Sequence, residues 1–398
     1  MYNYSTGASG SRLIPRFAIS DQASAPGLAR LPRFMTRPIL AQINLAALRA
    51  NLDIARQRAR QAQVLAVVKA NAYGHGLLRV LPALADADGL ALLELDAAVA
   101  LRENHYARRI LLLEGFFGAD ELPEIAARRL AVVVHHTEQV RELETAALAR
   151  PLEVFIKVNT GMNRLGFRPD QVRAVAERLS SSASVAALRL MTHLARADEE
   201  EGPHEQLQMF ESACKGLPYP RSIANSAGVI RYDEVGGDYV RPGIMLYGSS
   251  PFPYDTAETL GLAPVMTLRS ELIATQDLKA NDSVGYGGGY TASRAHRIGV
   301  VACGYADGYP RHAPNGTPVL VCGKKVRTAG RVSMDLMTVD LTEVPEASIG
   351  SPVVLWGEGL SVDDVAAAAS TVGYQLLCSV SPRVPCVSTQ VAKVDIEL

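Results

Sequence analysis

The sequence predicts an α/β protein with two domains, an N-terminal (β/α)8 TIM-like barrel followed by a mostly β C-terminal domain. From about residue 39, eight apolar runs alternate with helical stretches at spacings of roughly 17–36 residues, which is typical of repeated βα units. After about residue 262 the apolar runs become shorter, and turns rich in Gly and Pro separate them. The chain of 398 residues is also longer than a single core usually fills.

The elements of the predicted barrel follow in chain order over residues 38–264. A first helix is predicted from Leu45 to Gln63, because its leucines lie broadly on one face. The eight predicted strands are 64–69, Leu90–Leu95, Ile110–Leu113, Leu130–Val134, Leu152–Val158, Leu188–Thr192, Ser222–Ala224 and Tyr239–Leu246. Helices are predicted between strands at Asp96–Glu103, Pro169–Leu179 and Glu205–Lys215. This pattern favours a closed barrel of parallel strands, and a doubly wound open sheet is the alternative.

Two further segments complete the predicted organisation. Residues 265–398 are expected to form the mostly β domain, with strands predicted at Val265–Ile273, Ile298–Val301, Val319–Val321 and Val353–Leu355 and one helix at Val362–Thr371. Residues 1–37 are expected to be a flexible N-terminal tail. The tail is rich in Ser, Ala and Arg, as transit peptides are, but it lacks the apolar core of a signal peptide, and targeting is the less favoured interpretation.

Composition narrows the classes of function. The formal net charge of −1 and the pI of about 6.7 argue against a nucleic-acid partner or an anionic membrane surface. No stretch reaches the roughly 18 apolar residues of a membrane span. The five cysteines are scattered without a C-x-x-C pair, and the eight histidines show no spacing typical of metal ligands. We therefore expect a cytoplasmic protein, in a reducing compartment, without a metal site.

Lys69 is the most informative residue of the chain. It closes an apolar run that begins at Val64 and is followed by the turn-forming segment 70–76. An amine at the end of a buried strand is expensive to desolvate, and burial favours its neutral form, which can form a Schiff base. The ordinary alternative is a lysine whose amine extends from the strand end to water.

Polar and cationic residues also follow the other predicted strands. In a barrel the C-terminal strand ends meet at one face, where active sites lie, and the backbone N–H groups after strands 7 and 8 often bind phosphate. Each residue has an ordinary interpretation too, since Ser226 could cap a helix, Arg241 could form a surface ion pair and His193 could be a satisfied core histidine. The residues predicted to share this face are Lys69, Tyr73, Lys157, Arg164, His193, Asn225, Ser226, Arg241 and Gly243.

The segment from Val67 to Gly76, VVKANAYGHG, resembles the cofactor-binding signature of alanine racemases. The resemblance runs from about residue 38 to the C-terminus, with motifs in the same order as in the family. These motifs are TGMNRLG at 160–166, TH at 192–193, ANS at 224–226, VRPGI at 240–244, GYG at 285–287, GYADG at 304–308 and GRVSMD at 330–335. The resemblance implies a barrel-type racemase that depends on pyridoxal 5'-phosphate and acts on alanine.

Two residues would carry the proton transfers that the resemblance implies. Lys69 would hold the cofactor as a Schiff base and act on one face of the substrate Cα, and Tyr286 would act on the other face. Racemisation removes a proton from one face and delivers it to the opposite face, so two acid/base groups are the simplest arrangement.

The cofactor and substrate contacts are implied in the same way. Arg164 would bond the cofactor phenolate and orient the substrate carboxylate, whereas Arg241 would face the pyridine nitrogen with His193 bonded to it. Met334 would give a backbone N–H to the substrate carboxylate, and Asp335 would line the entrance. The remaining implied cofactor-binding residues are Tyr73, Asn225, Ser226, Gly243, Ile244 and Tyr305.

The resemblance bears on one further residue, Lys157, and the sequence departs from the family at three positions. Lys157 lies seven residues before Arg164, where some family members carry a carbamylated lysine that positions this arginine. Asn159 replaces the aspartate of many members, and Asn163 replaces a small residue. Pro382 stands where some members place a tyrosine that lines the phosphate pocket. These departures concern the shape of the pocket rather than the reaction.

The resemblance also implies a head-to-tail homodimer with active sites built from both chains. The D-alanine produced would supply peptidoglycan, or the reaction would feed alanine catabolism. A decarboxylase of basic amino acids with a similar architecture is an alternative, but it would need an acidic partner at the pyridine nitrogen where Arg241 is expected. A racemase with a broader substrate range is closer. A non-enzymatic, cofactor-binding regulatory protein would end after its barrel, whereas this chain continues.

Overall fold

The structure, a computed structural model, describes residues 37–232 and 237–389. The flexible tail predicted for residues 1–37 therefore lies, apart from residue 37, outside the described residues. The first described strand, β1, spans Leu40–Asn44 and leads directly into a helix at Leu45–Ala59. Asn44 caps this helix through its side-chain oxygen, which accepts a hydrogen bond from the Ala47 N–H at 3.0 Å.

Eight parallel strands follow and close on themselves as a barrel. They are β2 (Gln63–Val67), β3 (Gly89–Leu92), β4 (Arg109–Leu112), β5 (Ala131–Val134), β6 (Leu152–Lys157), β7 (Val185–Met191), β8 (Arg221–Ser222) and β9 (Tyr239–Val240). The barrel closes where Gln63 and Val64 pair in register with Tyr239 and Val240. A strand is present at each of the eight predicted places, although the last one ends at Val240 instead of Leu246 and is followed by a 3₁₀ turn at Ile244–Tyr247. The closed arrangement confirms the barrel over the open sheet.

Helices on the outside of the barrel connect these strands. After the first helix they are Leu77–Val80, Leu95–Glu103, Leu122–Ala127, Thr137–Thr145, Val172–Ser180, His204–Cys214 and Ser226–Arg231. Short 3₁₀ turns lie at Leu81–Leu84, Ala119–Glu121, Pro169–Gln171 and Ile244–Tyr247. The first helix ends four residues before its predicted end at Gln63, because Gln63 is already the first residue of β2.

The remaining chain is mostly β, as predicted. Its strands are β10 (Met266–Leu278), β11 (Ser283–Val284), β12 (Tyr290–Thr291), β13 (His296–Val301), β14 (Pro318–Val321), β15 (Lys324–Arg327), β16 (Met337–Asp340), β17 (Pro352–Trp356) and β18 (Cys386–Thr389). Two helices, Val362–Ala368 and Gly373–Ser379, and two 3₁₀ turns, Tyr286–Gly288 and Tyr305–Asp307, interrupt them.

The main C-terminal sheet includes a strand from the opposite end of the described chain. Its order is β15-β14-β17-β10-β1-β18, and β13 and β16 extend it from β10. Strand β1 pairs antiparallel with β10 and parallel with β18. Residues Leu40–Asn44 thus belong to this sheet, although the sequence placed them with the barrel. A short apolar strand such as β1 is compatible with either sheet, so its sequence pattern alone does not identify the strands with which it pairs.

The two sheets share one continuous apolar core. Buried residues from the barrel strands, the first helix and the C-terminal sheet form a single cluster. The largest fully buried side chains include Trp356 and Tyr309 of the C-terminal region and Tyr247 beside the barrel. Among the described residues, no helix has the length and apolar character needed to cross a membrane.

Candidate active site

A cavity of about 350 Å³ opens at the C-terminal ends of the barrel strands. Such a volume is within the usual range for small-molecule sites. Ten of the residues singled out from the sequence line it, and all lie at or after the C-terminal end of a strand: Lys69, Tyr73, Lys157, Arg164, His193, Asn225, Ser226, Arg241, Gly243 and Ile244. The structure therefore brings the barrel part of the predicted site together in one place.

Lys69 begins an unusual turn two residues after the end of β2. The four residues from Ala70 to Tyr73 all have positive φ values, between 51° and 55°. Left-handed backbone is unfavourable by roughly 1–2 kcal/mol per residue for residues other than glycine. The turn therefore requires support from its surroundings, and such strained segments cluster at functional sites.

His75 and Asn71 supply part of that support. The Nδ1–H of His75 donates to the carbonyl oxygens of Ala72 and Tyr73, both at 2.9 Å. The side-chain oxygen of Asn71 accepts a hydrogen bond from Leu77 N–H at 2.7 Å. Burial lowers the pKa of His75 to about 4, so the ring stays neutral with its proton on Nδ1. The motif residues after Lys69 thus act by holding the turn in shape.

A cradle of backbone and hydroxyl groups lies beside the turn. The Tyr73 ring stacks on Tyr247 with 4.6 Å between ring centroids. A Cβ at Gly243 would lie only 2.5 Å from the Tyr73 hydroxyl, so a larger residue there would displace the Tyr73 ring. The N–H of Gly243 donates to the Ser226 Oγ at 2.8 Å. Donors and hydroxyls converge here as they do at phosphate-binding sites of barrels.

Asn225, rather than Ser226, caps the helix Ser226–Arg231. Its Oδ1 accepts from the Gly228 N–H at 3.0 Å, and its Nδ2 donates to the Leu194 carbonyl oxygen at 3.0 Å. The capping role considered for Ser226 is therefore filled by its neighbour. The Ser226 hydroxyl instead faces Gly243 across the cradle.

Arg241 is fixed firmly in the floor of the cavity. Its Nη1 donates to the Ser222 Oγ at 2.5 Å, and its Nη2 donates to the carbonyl oxygens of Thr192 and Ile223 at 2.6 and 3.2 Å. Burial lowers the Arg241 pKa to about 10. The resemblance implied a bond to His193, but these hydrogen bonds go to Ser222 and the backbone.

Positive charge accumulates around Arg241. Lys157 is buried, and desolvation, followed by the charges of Arg241 and Arg164, lowers its pKa to about 8. Burial and then the same cations, with Lys157 and Lys69, lower the His193 pKa to about 3, so this imidazole is neutral. The cavity is thus a cationic pocket suited to an anionic ligand.

Four predicted site residues lie away from this cavity, on the C-terminal domain. Tyr286 is 70% exposed, Met334 is 54% exposed and Tyr305 is 39% exposed. Asp335 also lies outside the residues that line the cavity within one chain. The chain alone therefore does not bring these four residues to Lys69.

Three of these residues, Tyr305, Met334 and Asp335, lie on loops that contact one another. The backbone N–H groups of Tyr305 and Ala306 donate to the carbonyl oxygens of Ser333 and Met334, both at 3.0 Å. Arg383 then bridges two carboxylates, with its Nε 2.8 Å from the buried Asp307 and its Nη2 2.8 Å from Asp335. The loops that carry Tyr305, Met334 and Asp335 are therefore held as one unit.

Sequence reasoning missed Tyr374, which lines the cavity with its ring 6.1 Å from that of Tyr73. Tyr374 lies in the helix Gly373–Ser379, which was not predicted. The backbone of this helix lies close to the turn after Lys69, since a Cβ at Gly74 would lie 2.2 Å from the Leu377 carbonyl oxygen. Asp198 also lines the cavity and was not singled out. Neither residue falls in a local pattern that marks chemistry.

The fold and the cavity define a two-domain barrel enzyme with a lysine amine in a cationic, glycine-lined pocket. Comparison with known proteins makes the class specific. The N-terminal domain of alanine racemases matches residues 43–251, and the C-terminal domain of alanine racemases matches residues 265–388. The chain belongs to the alanine racemase family, and it is an amino-acid racemase.

Relatives match along nearly their whole length. The alanine racemase of Nitrosospira multiformis is 55% identical over 352 residues, which cover 88% of this chain and 99% of the relative. The catabolic alanine racemase of Klebsiella aerogenes is 52% identical, with coverage of 89% and 100%. The crystal structure of the biosynthetic alanine racemase from Pseudomonas aeruginosa superposes with a TM-score of 0.87 at 48% identity, and coverage is again 89% and 100%.

Proposed function

We propose that this enzyme interconverts L-alanine and D-alanine with pyridoxal 5'-phosphate as its cofactor. The observation that carries the proposal is the position of Lys69, which enters a cationic cavity beside the Tyr73–Gly243–Ser226 cradle. Relatives named as alanine racemases, catabolic and biosynthetic, support alanine as the substrate. Production of D-alanine from L-alanine by the purified enzyme tests this function, and activity confined to other amino acids would contradict it.

The residues of the cavity fit this cofactor. The Lys69 amine would hold its carbonyl carbon, and the cradle, with Asn225 and Ile244 beside it and Tyr305 supplied by a second copy of the chain, would hold its phosphate. The guanidinium of Arg241, already anchored by its own hydrogen bonds, would meet the pyridine nitrogen. When bound, the cofactor withdraws electrons and makes the Cα proton of an amino acid easier to remove.

The protein's own groups would then move that proton. The Lys69 Nζ would take or return it on one face of Cα, and the Tyr286 Oη would do so on the other. Arg164 and the Met334 N–H would hold the substrate carboxylate so that Cα stays between these two atoms. The neutral imidazole of His193 and the guanidinium of Arg241 would fix the electrostatic surroundings of the site.

We also propose a head-to-tail homodimer, because the cavity of one chain lacks Tyr286, Tyr305, Met334 and Asp335. Their exposure fits residues that a second copy covers. Two symmetric sites would each combine a barrel from one subunit with a C-terminal domain from its partner. We propose a cytoplasmic location, which is supported by the absence of any disulfide among the five cysteines, all of them described.

Mixing two inactive variants tests the shared site. A Lys69→Ala subunit keeps its own Tyr286, and a Tyr286→Phe subunit keeps its own Lys69, so a mixed dimer would contain one intact site. We expect the activity of the mixture to rise far above that of either variant. Native mass spectrometry would confirm that subunits have exchanged, and no recovery after confirmed exchange would contradict the composite site.

Lys157 is proposed to be carbamylated. Its lowered pKa of about 8 leaves a sizeable neutral fraction near neutral pH. The neutral amine can attack carbon dioxide, forming an N–C bond and releasing one proton. The resulting anion would offset the charges of Arg164 and Arg241. We expect a carbamate carbon signal in NMR with ¹³C-bicarbonate that grows as pH rises through about 8 and is lost in Lys157→Ala, while its persistence in that variant would refute the assignment.

A further inference from the structure

A second cavity lies at the N-terminal face of the barrel, opposite the candidate active site. It has a volume of about 320 Å³ and is bordered by the beginnings of β4, β5 and β6. Its charged lining consists of five arginines and one glutamate: Arg102, Arg108, Arg109, Arg129, Arg150 and Glu153. In a protein whose net charge is −1, this is a marked local excess of positive charge.

The single carboxylate of this cavity is already engaged. Glu153 lies between Arg109, whose Nε is 3.1 Å from Oε2, and Arg189, whose Nε is 2.8 Å from Oε1. Arg109 also donates to the Gln63 side-chain oxygen at 2.7 Å. The cluster retains a net positive charge, so Glu153 leaves the other arginines of the cavity without compensation.

Arg102 gives the cavity a fixed frame. Its guanidinium donates to the carbonyl oxygens of Tyr106 and Arg108 at 2.5 and 2.7 Å, and to those of Arg128 and Arg129 at 2.8 and 3.0 Å. One side chain thereby ties together the two loops that carry Arg108 and Arg129. The arrangement of these loops is consequently built into the fold.

Three arginines complete the rim. Arg108, Arg129 and Arg150 are exposed, and within the described part of the chain none of them forms an ion pair with a carboxylate. The neighbouring Arg128 differs, because it pairs with Glu124 at 2.7 Å. Arg129 also has a φ of +54°, where glycine would fit more easily. Guanidinium groups that line one cavity repel one another, and an anion among them would offset that repulsion.

We propose that this cavity binds an anion with several phosphoryl groups, either inorganic or part of a nucleotide. Guanidinium groups bind phosphate oxygens through paired, charge-assisted hydrogen bonds, and several phosphoryl groups match several arginines better than a single carboxylate does. The site is separate from the candidate active site, since β6 carries Glu153 near its start and Lys157 at its opposite end.

Calorimetric titration of the purified full-length enzyme tests the site. Inorganic tripolyphosphate and ATP serve as the two probes, at constant ionic strength because non-specific phosphate binding depends on salt. We expect one binding site per chain for at least one probe. Tighter binding of tripolyphosphate would indicate an inorganic ligand, and tighter binding of ATP would indicate a nucleotide.

Matched variants distinguish this cavity from general attraction. The double variant Arg129→Gln/Arg150→Gln is expected to weaken binding at least about tenfold. The double variant Arg294→Gln/Arg327→Gln removes the same charge from exposed positions of the C-terminal domain and is expected to change binding less than about twofold. Equal effects of the two double variants, no effect of the first, or no binding to the unaltered enzyme would overturn the proposal.

Discussion

Replacing Lys69 by alanine is expected to abolish racemisation, with a loss of more than about 10⁴-fold, because covalent attachment and one proton transfer depend on the same amine. Treatment with borohydride followed by mass analysis of peptides would show the reduced cofactor on Lys69 in the unaltered enzyme and none in the variant. The packing of the turn should survive, since the hydrogen bonds that hold it come from Asn71, His75 and the backbone.

A surface lysine provides the control for this prediction. Lys324 is exposed, and its amine pairs with the Glu346 carboxylate at 2.9 Å. It does not line the cavity that contains Lys69. Lys324→Ala should therefore retain both the cofactor and the activity. If Lys69→Ala still yielded a borohydride-reduced cofactor on another lysine together with normal activity, the assignment of Lys69 would be wrong.

Replacing Tyr286 by phenylalanine is expected to slow racemisation by about 10²–10⁴-fold, the usual effect of losing one acid/base group. Phenylalanine keeps the ring and removes only the hydroxyl that carries the proton. The variant should still bind the cofactor. It should also still exchange the Cα proton of D-alanine with solvent through Lys69, while largely losing the exchange that starts from L-alanine.

The asymmetry between the two enantiomers is the decisive readout, and NMR in deuterated water measures it directly. Tyr254 provides a matched control, because it is 95% exposed and Tyr254→Phe removes a hydroxyl without touching the proposed site. Equal slowing of exchange from both enantiomers in Tyr286→Phe, with the cofactor spectrum intact, would rule out the two-base assignment.

The barrel could be predicted because each of its strands has a recognisable local sequence pattern. Each buried strand appears as an apolar run closed by turn residues, and parallel strands place all their C-terminal ends on one face. Lys69, Arg241 and the other residues singled out at the barrel strand ends therefore meet in one cavity. The sequence pattern also identified the change to a mostly β domain.

The backbone after Lys69 could not be predicted from residue types. Ala70 and Ala72 favour right-handed helix, yet both have positive φ. The turn depends on the His75 ring and on the close approach of Leu377, more than 300 residues further along the chain. Local propensity is overridden here by tertiary contacts. Tyr374 was missed for the same reason, because its helix reaches the cavity only through long-range packing.

The strands that pair with β1 could not be predicted from the sequence either. Leu40–Asn44 is a short strand whose composition suits any sheet, and its neighbours β10 and β18 lie far away in the sequence. The position of the site residues on the C-terminal domain could not be predicted for a similar reason. The motifs around Tyr286 and Met334 could be recognised, but their distance from the cavity of the same chain depends on the packing of the two sheets.

The position of β1 also sets an order of events on the ribosome. Of the described strands β1 emerges first, but its antiparallel partner β10 follows roughly 220 residues later, which corresponds to about 10–40 s of synthesis at common elongation rates. Its other neighbour, β18, is among the last described residues, and Thr389 reaches back to the Ile43 carbonyl oxygen at 3.2 Å. The barrel can thus fold while β1 remains an unpaired strand, and the nascent chain must keep that strand from pairing elsewhere. The sheet of the domain that carries Tyr286 is completed only when β18 is available, so the proposed composite sites could assemble only after β18 has been synthesised.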